Sequence, residues 1–119
     1  MNVLVIDDSL INLKIARHTL QHAGYEVFEA SNGLDGVKMA KSLLPSLILL
    51  DVEMPNMDGI ETLKMLRSIA PLDSIPVVAL TASSMPGDKE KLIDAGFDDY
   101  ISKPVNVNKL IAKIQAICK

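Results

Sequence analysis

The chain has 119 residues, close to the usual size of one domain, and 49% of them are hydrophobic, enough for a buried core. Its net charge of −3 and aromatic content of 3% argue against nucleic-acid binding, which normally needs basic patches or stacking aromatics. The apolar runs are too short to span a membrane, no secretory leader is visible, and there is a single cysteine, Cys118. These features predict a cytoplasmic protein without a membrane partner.

The first half of the chain predicts two strand–helix units. The apolar run Val3–Ile6 predicts a strand, and the helix after it is expected to begin at the N-cap Ser9 and to end before Gly24. A second, short strand at Val27–Phe28 ends at a turn-prone Ser-Asn-Gly segment. A second amphipathic helix is then expected over residues 34–44, with a proline directly after it.

The second half of the chain predicts three further strand–helix units. The apolar run Leu47–Leu50 leads through a loop to a helix that reaches about residue 70. This helix opens with a capping box formed by Asp58 and Glu61. The remaining predicted elements, in chain order, are a strand at Val77–Leu80, a helix over residues 86–95, a strand at Asp99–Ser102 and a helix over residues 107–117.

The order of these elements predicts an α/β fold. Three of the strands are almost wholly apolar, which indicates that helices cover both faces of the sheet. Alternating strands and helices with right-handed crossovers form a doubly wound parallel sheet. For five strands the expected order is 2-1-3-4-5, the flavodoxin-like (βα)5 arrangement, in one domain spanning residues 1–119. Ligands bind such a sheet at the carboxyl ends of strands one and three.

Polar residues stand where these strands end, and their chemistry predicts a shared site. Asp7 and Asp8 follow the first strand, Asp51 the third, Thr81 the fourth and Lys103 the fifth. Three carboxylates in one cleft repel each other unless a cation binds them, and Mg²⁺ prefers such oxygen ligands. No His or Cys is close in sequence, which disfavours zinc and copper. One aspartate can also form an aspartyl-phosphate, with a lysine and a hydroxyl contacting the phosphoryl group.

These residues, together with the segment Leu49–Gly59, Ala82 and Pro104, resemble the receiver domain of two-component response regulators over the whole chain. The resemblance implies that Asp51 accepts phosphate from a phosphohistidine on a sensor histidine kinase or a histidine phosphotransfer protein. It also implies that Lys103 contacts the acyl phosphate through its amine, and that the bond from Lys103 to Pro104 is cis.

The implied metal is Mg²⁺, with Mn²⁺ as an alternative. The resemblance assigns its protein ligands to the side chains of Asp7, Asp8 and Asp51 and to the main-chain carbonyl of Glu53. The position of Glu53 varies in the family and tunes the lifetime of the phosphate.

The resemblance also implies a conformational switch. Thr81 is expected to move toward the phosphoryl group while Tyr100 swings inward behind it, and Ala82, being small, leaves room for the phosphodonor. Phosphate contacts made in one conformer only would shift a pre-existing equilibrium. We therefore expect a monomeric regulatory domain without an output domain. It would catalyse only its own phosphorylation and dephosphorylation, and either bind a downstream protein or relay the phosphate.

Three other functions are weighed against this interpretation. A magnesium phosphatase of the haloacid dehalogenase type needs a second aspartate where Glu53 stands, and a cap domain. An inactive pseudo-receiver is disfavoured by the complete acidic site, and a flavin carrier by the repulsion between acidic strand ends and flavin phosphate.

His18 and His22 have helical metal-pair spacing but no third ligand, so we expect them to be solvated helix residues.

Overall fold

A computed structural model describes residues 1–54, 58–82, 87–103 and 106–117. Five parallel strands form one sheet in the order β2-β1-β3-β4-β5, which confirms the predicted topology. The strands are β1 (Asn2–Ile6), β2 (Glu26–Ala30), β3 (Leu47–Asp51), β4 (Val77–Thr81) and β5 (Asp99–Ser102). The helices are α1 (Leu10–His22), α2 (Gly33–Leu43), α3 (Gly59–Arg67), α4 (Asp88–Ala95) and α5 (Val107–Ile117), with a 3-10 turn at Leu72–Ser74.

The sheet is covered by helices on both faces, as its apolar strands predict. Leu4 and Ile6 of β1 belong to a buried cluster that includes residues of α2, α3 and α4. Their neighbours Val3 and Val5 belong to a second cluster, which includes residues of α1 and α5. Each fully buried aliphatic side chain of this kind contributes about 1.5–3 kcal/mol relative to exposure. The two clusters therefore fix the sheet rigidly between its helices.

Side-chain caps begin four of the described helices, including α5, where the Asn106 side chain accepts from the Lys109 N–H at 3.1 Å. The predicted N-caps Ser9 and Asp58 are confirmed, since their side chains accept hydrogen bonds from the main-chain N–H groups of Asn12 and Glu61 at 3.3 and 2.9 Å. The turn predicted after the second strand is a third cap, because the Asn32 side chain accepts from the Asp35 N–H at 2.8 Å. Helix α2 consequently begins at Gly33.

Helix α3 is shorter than predicted and ends at Arg67 instead of near residue 70. The Ser68 hydroxyl donates to the Met65 carbonyl at 2.7 Å, a local bond that competes with continuation of the helix. Pro71, which has no N–H to donate, follows soon after in a cis peptide bond with Ala70. The chain then enters the 3-10 turn, whose Leu72 is fully buried.

In the described ranges, no helix combines the length and the apolar character needed to cross a membrane. The start of α4 predicted at Pro86 and the cis bond predicted between Lys103 and Pro104 lie outside the described residues.

Candidate functional site

The strand register brings the predicted polar residues to one edge of the sheet. Ile6 pairs with Leu50, so Asp7 and Asp51 are the next residues on neighbouring strands. One carboxylate oxygen each from Asp7, Asp8 and Asp51 lies within 4.8 Å of the others. Asp7 and Asp51 are buried, whereas Asp8 is exposed to solvent. The cluster is therefore open on the side of Asp8.

Asp7 holds a buried carboxylate oxygen that accepts no hydrogen bond in the described ranges. Its Oδ1 accepts a hydrogen bond from the Ser9 N–H at 2.9 Å, while its buried Oδ2 has no hydrogen-bond partner among the described residues. Burial raises the pKa of Asp7, and the nearby charge of Asp51 raises it further, against the opposing effects of the Ser9 N–H and Lys103. A buried carboxylate oxygen without a hydrogen bond is costly, and a bound cation would satisfy it.

Asp51 is held by two donors on the same oxygen. Its Oδ1 accepts from the Glu53 N–H at 3.0 Å and lies 3.0 Å from the Lys103 amine. The same amine lies 3.6 Å from Oδ2 of Asp7. Burial acts to lower the pKa of Lys103, but its hydrogen bond to Asp51 and the surrounding acidic charges outweigh burial and raise the pKa. The lysine therefore stays cationic beside two buried carboxylates.

Two close backbone approaches position these groups. The Lys103 N–H donates to the Thr81 carbonyl at 2.7 Å, which fixes the end of β5 against the end of β4. Gly59, the first residue of α3, packs directly on the main chain after β3: a Cβ there would lie 2.6 Å from the carbonyl oxygen of Asp51 and 2.5 Å from Cα of Val52. Glycine is thus required where α3 closes over the aspartate.

The acidic cluster fits a hard divalent cation. It offers carboxylate oxygens only, including Oδ2 of Asp7, which accepts no hydrogen bond from the described residues, and it has one exposed member through which water can complete the coordination. Magnesium takes one or two carboxylates, keeps several waters and binds phosphate oxygens as well. The predicted ligand role of the Glu53 carbonyl is not tested by these contacts and stays a prediction.

Thr81 and Ala82 make a contact that the sequence did not suggest. The buried Thr81 hydroxyl donates to Oε1 of Glu53 at 3.2 Å, and the Ala82 N–H donates to the same oxygen at 3.1 Å. The sequence predicted a metal-ligand role for the Glu53 carbonyl and an influence of this position on the phosphate lifetime, but no contact between its side chain and β4. The neighbouring ends of β3 and β4 were the one sequence indication of this contact, because they place Glu53, two residues after Asp51, opposite the end of β4.

Tyr100 lies on β5, three residues before Lys103. It pairs with Ala79, is half-buried and packs against the cluster that contains α3 and α4 residues. The Lys113 amine lies 5.5 Å from the centre of its ring and also contacts both carboxylate oxygens of Asp99, at 3.0 and 3.1 Å. The predicted switch residue is therefore bordered by an ion pair between β5 and α5.

The two histidines lie away from this site. His18 and His22 are exposed on α1, and neither belongs to the acidic cluster found within the described ranges. This placement agrees with their expected role as solvated helix residues.

Comparisons with known proteins relate the whole chain to one family. The model of the response regulator receiver domain matches residues 3–115. The polar-differentiation response regulator DivK of Brucella anthropi is 36% identical over 115 residues, which cover 97% of this chain and 94% of the relative. The solved chemotaxis protein CheY4 of Vibrio cholerae superposes with a TM-score of 0.92 at 33% identity, over 98% of this chain and 97% of its own.

A further solved structure bears on the metal. The receiver domain of a sensor histidine kinase from Pseudomonas aeruginosa, described with a magnesium ion coordinated in the active site cleft, is 28% identical with a TM-score of 0.90. The similarity covers 98% of this chain and 96% of that one.

Proposed function

This chain belongs to the response regulator receiver family, and we propose that Asp51 is the residue on which it receives the phosphoryl group. Members of the family are phosphoacceptor regulatory domains and not conventional enzymes. The observation that carries the assignment is the environment of Asp51: a buried carboxylate, 3.0 Å from the Lys103 amine and in one cluster with two more aspartates.

Phosphorylation of Asp51 would be a direct transfer between two residues. A carboxylate oxygen of Asp51 forms a bond to phosphorus as the bond from phosphorus to the donor's histidine nitrogen breaks; that nitrogen keeps the bonding electron pair, and the ring, protonated on its other nitrogen, leaves as neutral imidazole. Lys103 stabilises the negative charge of the phosphoryl oxygens from a fixed position. Because its hydrogen bond to Asp51 and the nearby acidic charges raise its pKa despite burial, the lysine is cationic before the phosphoryl group arrives.

We assign a metal site to the same cleft. Asp7, Asp8 and Asp51 would hold Mg²⁺, or alternatively Mn²⁺, with the Glu53 carbonyl as a further ligand. When bound, the ion supplies positive charge that neutralises the phosphoryl oxygens and relieves the repulsion among the carboxylates. The buried Oδ2 of Asp7, which accepts no hydrogen bond from the described residues, supports this assignment.

The switch and the partners belong to the same proposal. Thr81 would turn its hydroxyl to the phosphoryl group, and Tyr100 would move inward and change the surface formed by β5 and α5. The donor would be a sensor histidine kinase or histidine phosphotransfer protein, and a downstream protein would bind the altered surface or take the phosphate onward. A monomer in the cytoplasm suits such exchange, and the lone Cys118 favours that reducing setting.

Intact-mass measurement with acetyl phosphate and Mg²⁺ tests the phosphoacceptor. We expect the mass of one phosphoryl group to be added to the wild-type chain and no addition to Asp51→Asn, which keeps the shape of the side chain but is a far weaker nucleophile. Asp94→Asn is the matched control, because Asp94 is exposed on α4, and it should be phosphorylated like the wild type.

Two outcomes would contradict this proposal. An unmodified wild-type chain would favour an inactive pseudo-receiver. Continuous turnover of phosphate esters, with no stable adduct, would favour a phosphatase.

A further inference from the structure

We propose that the Glu53 carboxylate is an internal competitor of the phosphoryl group, bound to the donors that the phosphoryl group needs and displaced from them when Asp51 is phosphorylated. The inference rests on the proposed function of Asp51. It assigns to the Glu53 side chain a role separate from that of the Glu53 carbonyl.

The geometry at the end of β4 is that of an oxyanion-binding pair. The Thr81 hydroxyl and the Ala82 N–H come from adjacent residues and converge on one carboxylate oxygen of Glu53, at 3.2 and 3.1 Å. Two donors directed at one anionic oxygen are what a phosphoryl oxygen requires as well. The carboxylate oxygen thus engages donors that an oxygen of a phosphoryl group could also bind.

This pair of donors lies within reach of the nucleophile. Glu53 is two residues after Asp51 and donates its N–H to Oδ1 of Asp51 at 3.0 Å, while its side chain contacts Thr81 and Ala82. A main-chain bond of 3.0 Å from the Val52 N–H to the Leu80 carbonyl holds the two strand ends together. The distance from nucleophile to donor pair is therefore spanned by the backbone and side chain of one residue.

The charge of Glu53 also acts on the third phosphoryl-binding group. Its carboxylate is one of the charges that favour the cationic form of Lys103. A phosphoryl group on Asp51 would therefore meet a negative charge directed at its own three partners, Thr81, Ala82 and Lys103. Like charges in a partly buried site repel strongly, so phosphorylation requires the Glu53 side chain to move away.

Displacement is feasible because Glu53 is exposed and Thr81 is not. The carboxylate can turn into solvent and be hydrated there, whereas the buried Thr81 hydroxyl and the Ala82 N–H then bind the phosphoryl oxygens. Before phosphorylation, Glu53 satisfies these donors and stabilises the unphosphorylated arrangement. Shortening the Glu53 side chain or removing its charge should therefore favour binding of a phosphoryl group.

Two variants separate the reach of the side chain from its charge. Glu53→Gln keeps the length and removes the charge, and Glu53→Asp keeps the charge but shortens the side chain so that it no longer spans to Thr81 and Ala82. The probe is fluoroberyllate with Mg²⁺, a stable mimic of a phosphoryl group on a carboxylate, whose dissociation constant is measured by fluorine NMR. The matched control is Glu26→Gln, an exposed glutamate at the opposite end of the sheet.

We expect both Glu53 variants to bind the probe about three- to tenfold more tightly than the wild type, the scale of one or two exchanged hydrogen bonds. Glu26→Gln should bind like the wild type. If Glu53→Gln alone bound the probe more tightly, the effect would come from long-range charge. The proposed competition for Thr81 and Ala82 would then be overturned. Unchanged binding in both variants, with a wild-type chain that binds the probe, would overturn it as well and leave the function of Asp51 intact.

The contact itself has a separate measurement in the absence of any phosphoryl group. The amide resonance of Ala82 in a proton–nitrogen NMR spectrum should shift between the wild type and Glu53→Asp, because the carboxylate bond to its N–H is lost. An Ala82 resonance identical in the two proteins would overturn the proposal. A wild-type chain that binds no fluoroberyllate and is not phosphorylated on Asp51 would instead remove the proposed function, and this inference with it.

Discussion

Asp7 contributes to the site at a cost to the stability of the fold. Its buried Oδ2 accepts no hydrogen bond within the described part of the chain, and Asp51 carries a like charge beside it. The pKa of Asp7 is therefore raised from its usual 3.8, chiefly by burial. Because the unfolded chain ionises first as pH rises, the folded state retains a proton that the unfolded state has already released. Stability from this group falls as pH increases above about 3.8, until the folded state ionises too.

We predict that Asp7→Asn stabilises the metal-free protein at pH 7 by about 1–3 kcal/mol, the usual cost of an unsatisfied buried polar group. The amide removes the buried charge and can donate to a neighbouring carboxylate. Urea unfolding at pH 7 and pH 4 measures the gain, which should be larger at pH 7. Asp94→Asn, an exposed aspartate, should leave the unfolding free energy nearly unchanged. An equal gain at both pH values would contradict the assigned cause.

Arg67 joins elements that the sequence does not visibly connect. From the end of α3 its guanidinium donates to the carbonyls of Asp73, Ile75 and Gly96 at 3.2, 2.7 and 3.0 Å. It also pairs with the Asp98 carboxylate at 2.8 Å, and that carboxylate accepts from the N–H of Val77, the first residue of β4. One planar side chain thus ties α3 to the beginnings of β4 and β5.

We predict that Arg67→Ala destabilises the fold by about 2–3 kcal/mol, because several carbonyl acceptors and one carboxylate lose a charged donor together. Arg17→Ala is the matched control: Arg17 also forms an ion pair, with Glu29 at 2.7 Å, but its side chain is 53% exposed. Its loss should cost less than about 1 kcal/mol. Urea denaturation compares the unfolding free energies of the two variants. Equal losses would show that the network around Arg67 stabilises the fold no more than a surface ion pair does.

Across the whole molecule, the fold followed from the sequence because its determinants are local patterns. Apolar strands, helix caps such as Ser9 and glycines after helices recur in chain order, and the doubly wound rule converts that order into a strand sequence. The same rule placed Asp7, Asp8 and Asp51 at one edge. The doubly wound rule predicts the course of the main chain and the positions of residues that end strands.

The contacts that escaped prediction are made by long side chains between distant elements. Arg67 reaches carbonyls after α3 and before β5, and Glu53 reaches the end of β4. Neither contact produces a periodic pattern in the sequence, because a single arginine or glutamate is common on any protein surface. The N-cap of α2 was missed for another reason: Asn32 favours both a turn and an N-cap, and only the observed bond to the Asp35 N–H decides between them.

The metal couples the site to the stability of the whole fold. We predict that Mg²⁺ at ten times its dissociation constant stabilises the wild-type protein by about 1.4 kcal/mol, because an ion that binds only the folded state shifts the equilibrium by mass action. Chelation should reverse the gain. Asp8→Asn is the informative variant, since Asp8 is the exposed member of the cluster. Its metal-free stability should change by less than about 0.5 kcal/mol.

In Asp8→Asn the stabilisation by Mg²⁺ should be lost or require a much higher concentration, as measured by urea unfolding over a magnesium titration. Such a result would separate the metal site from the buried pair Asp7 and Asp51, whose own substitutions alter folding directly. Undiminished stabilisation in the variant would place the bound ion elsewhere. The acidic cluster would then be only a source of strain within the sheet edge, and phosphorylation of Asp51 would have to proceed without the charge neutralisation that we assign to it.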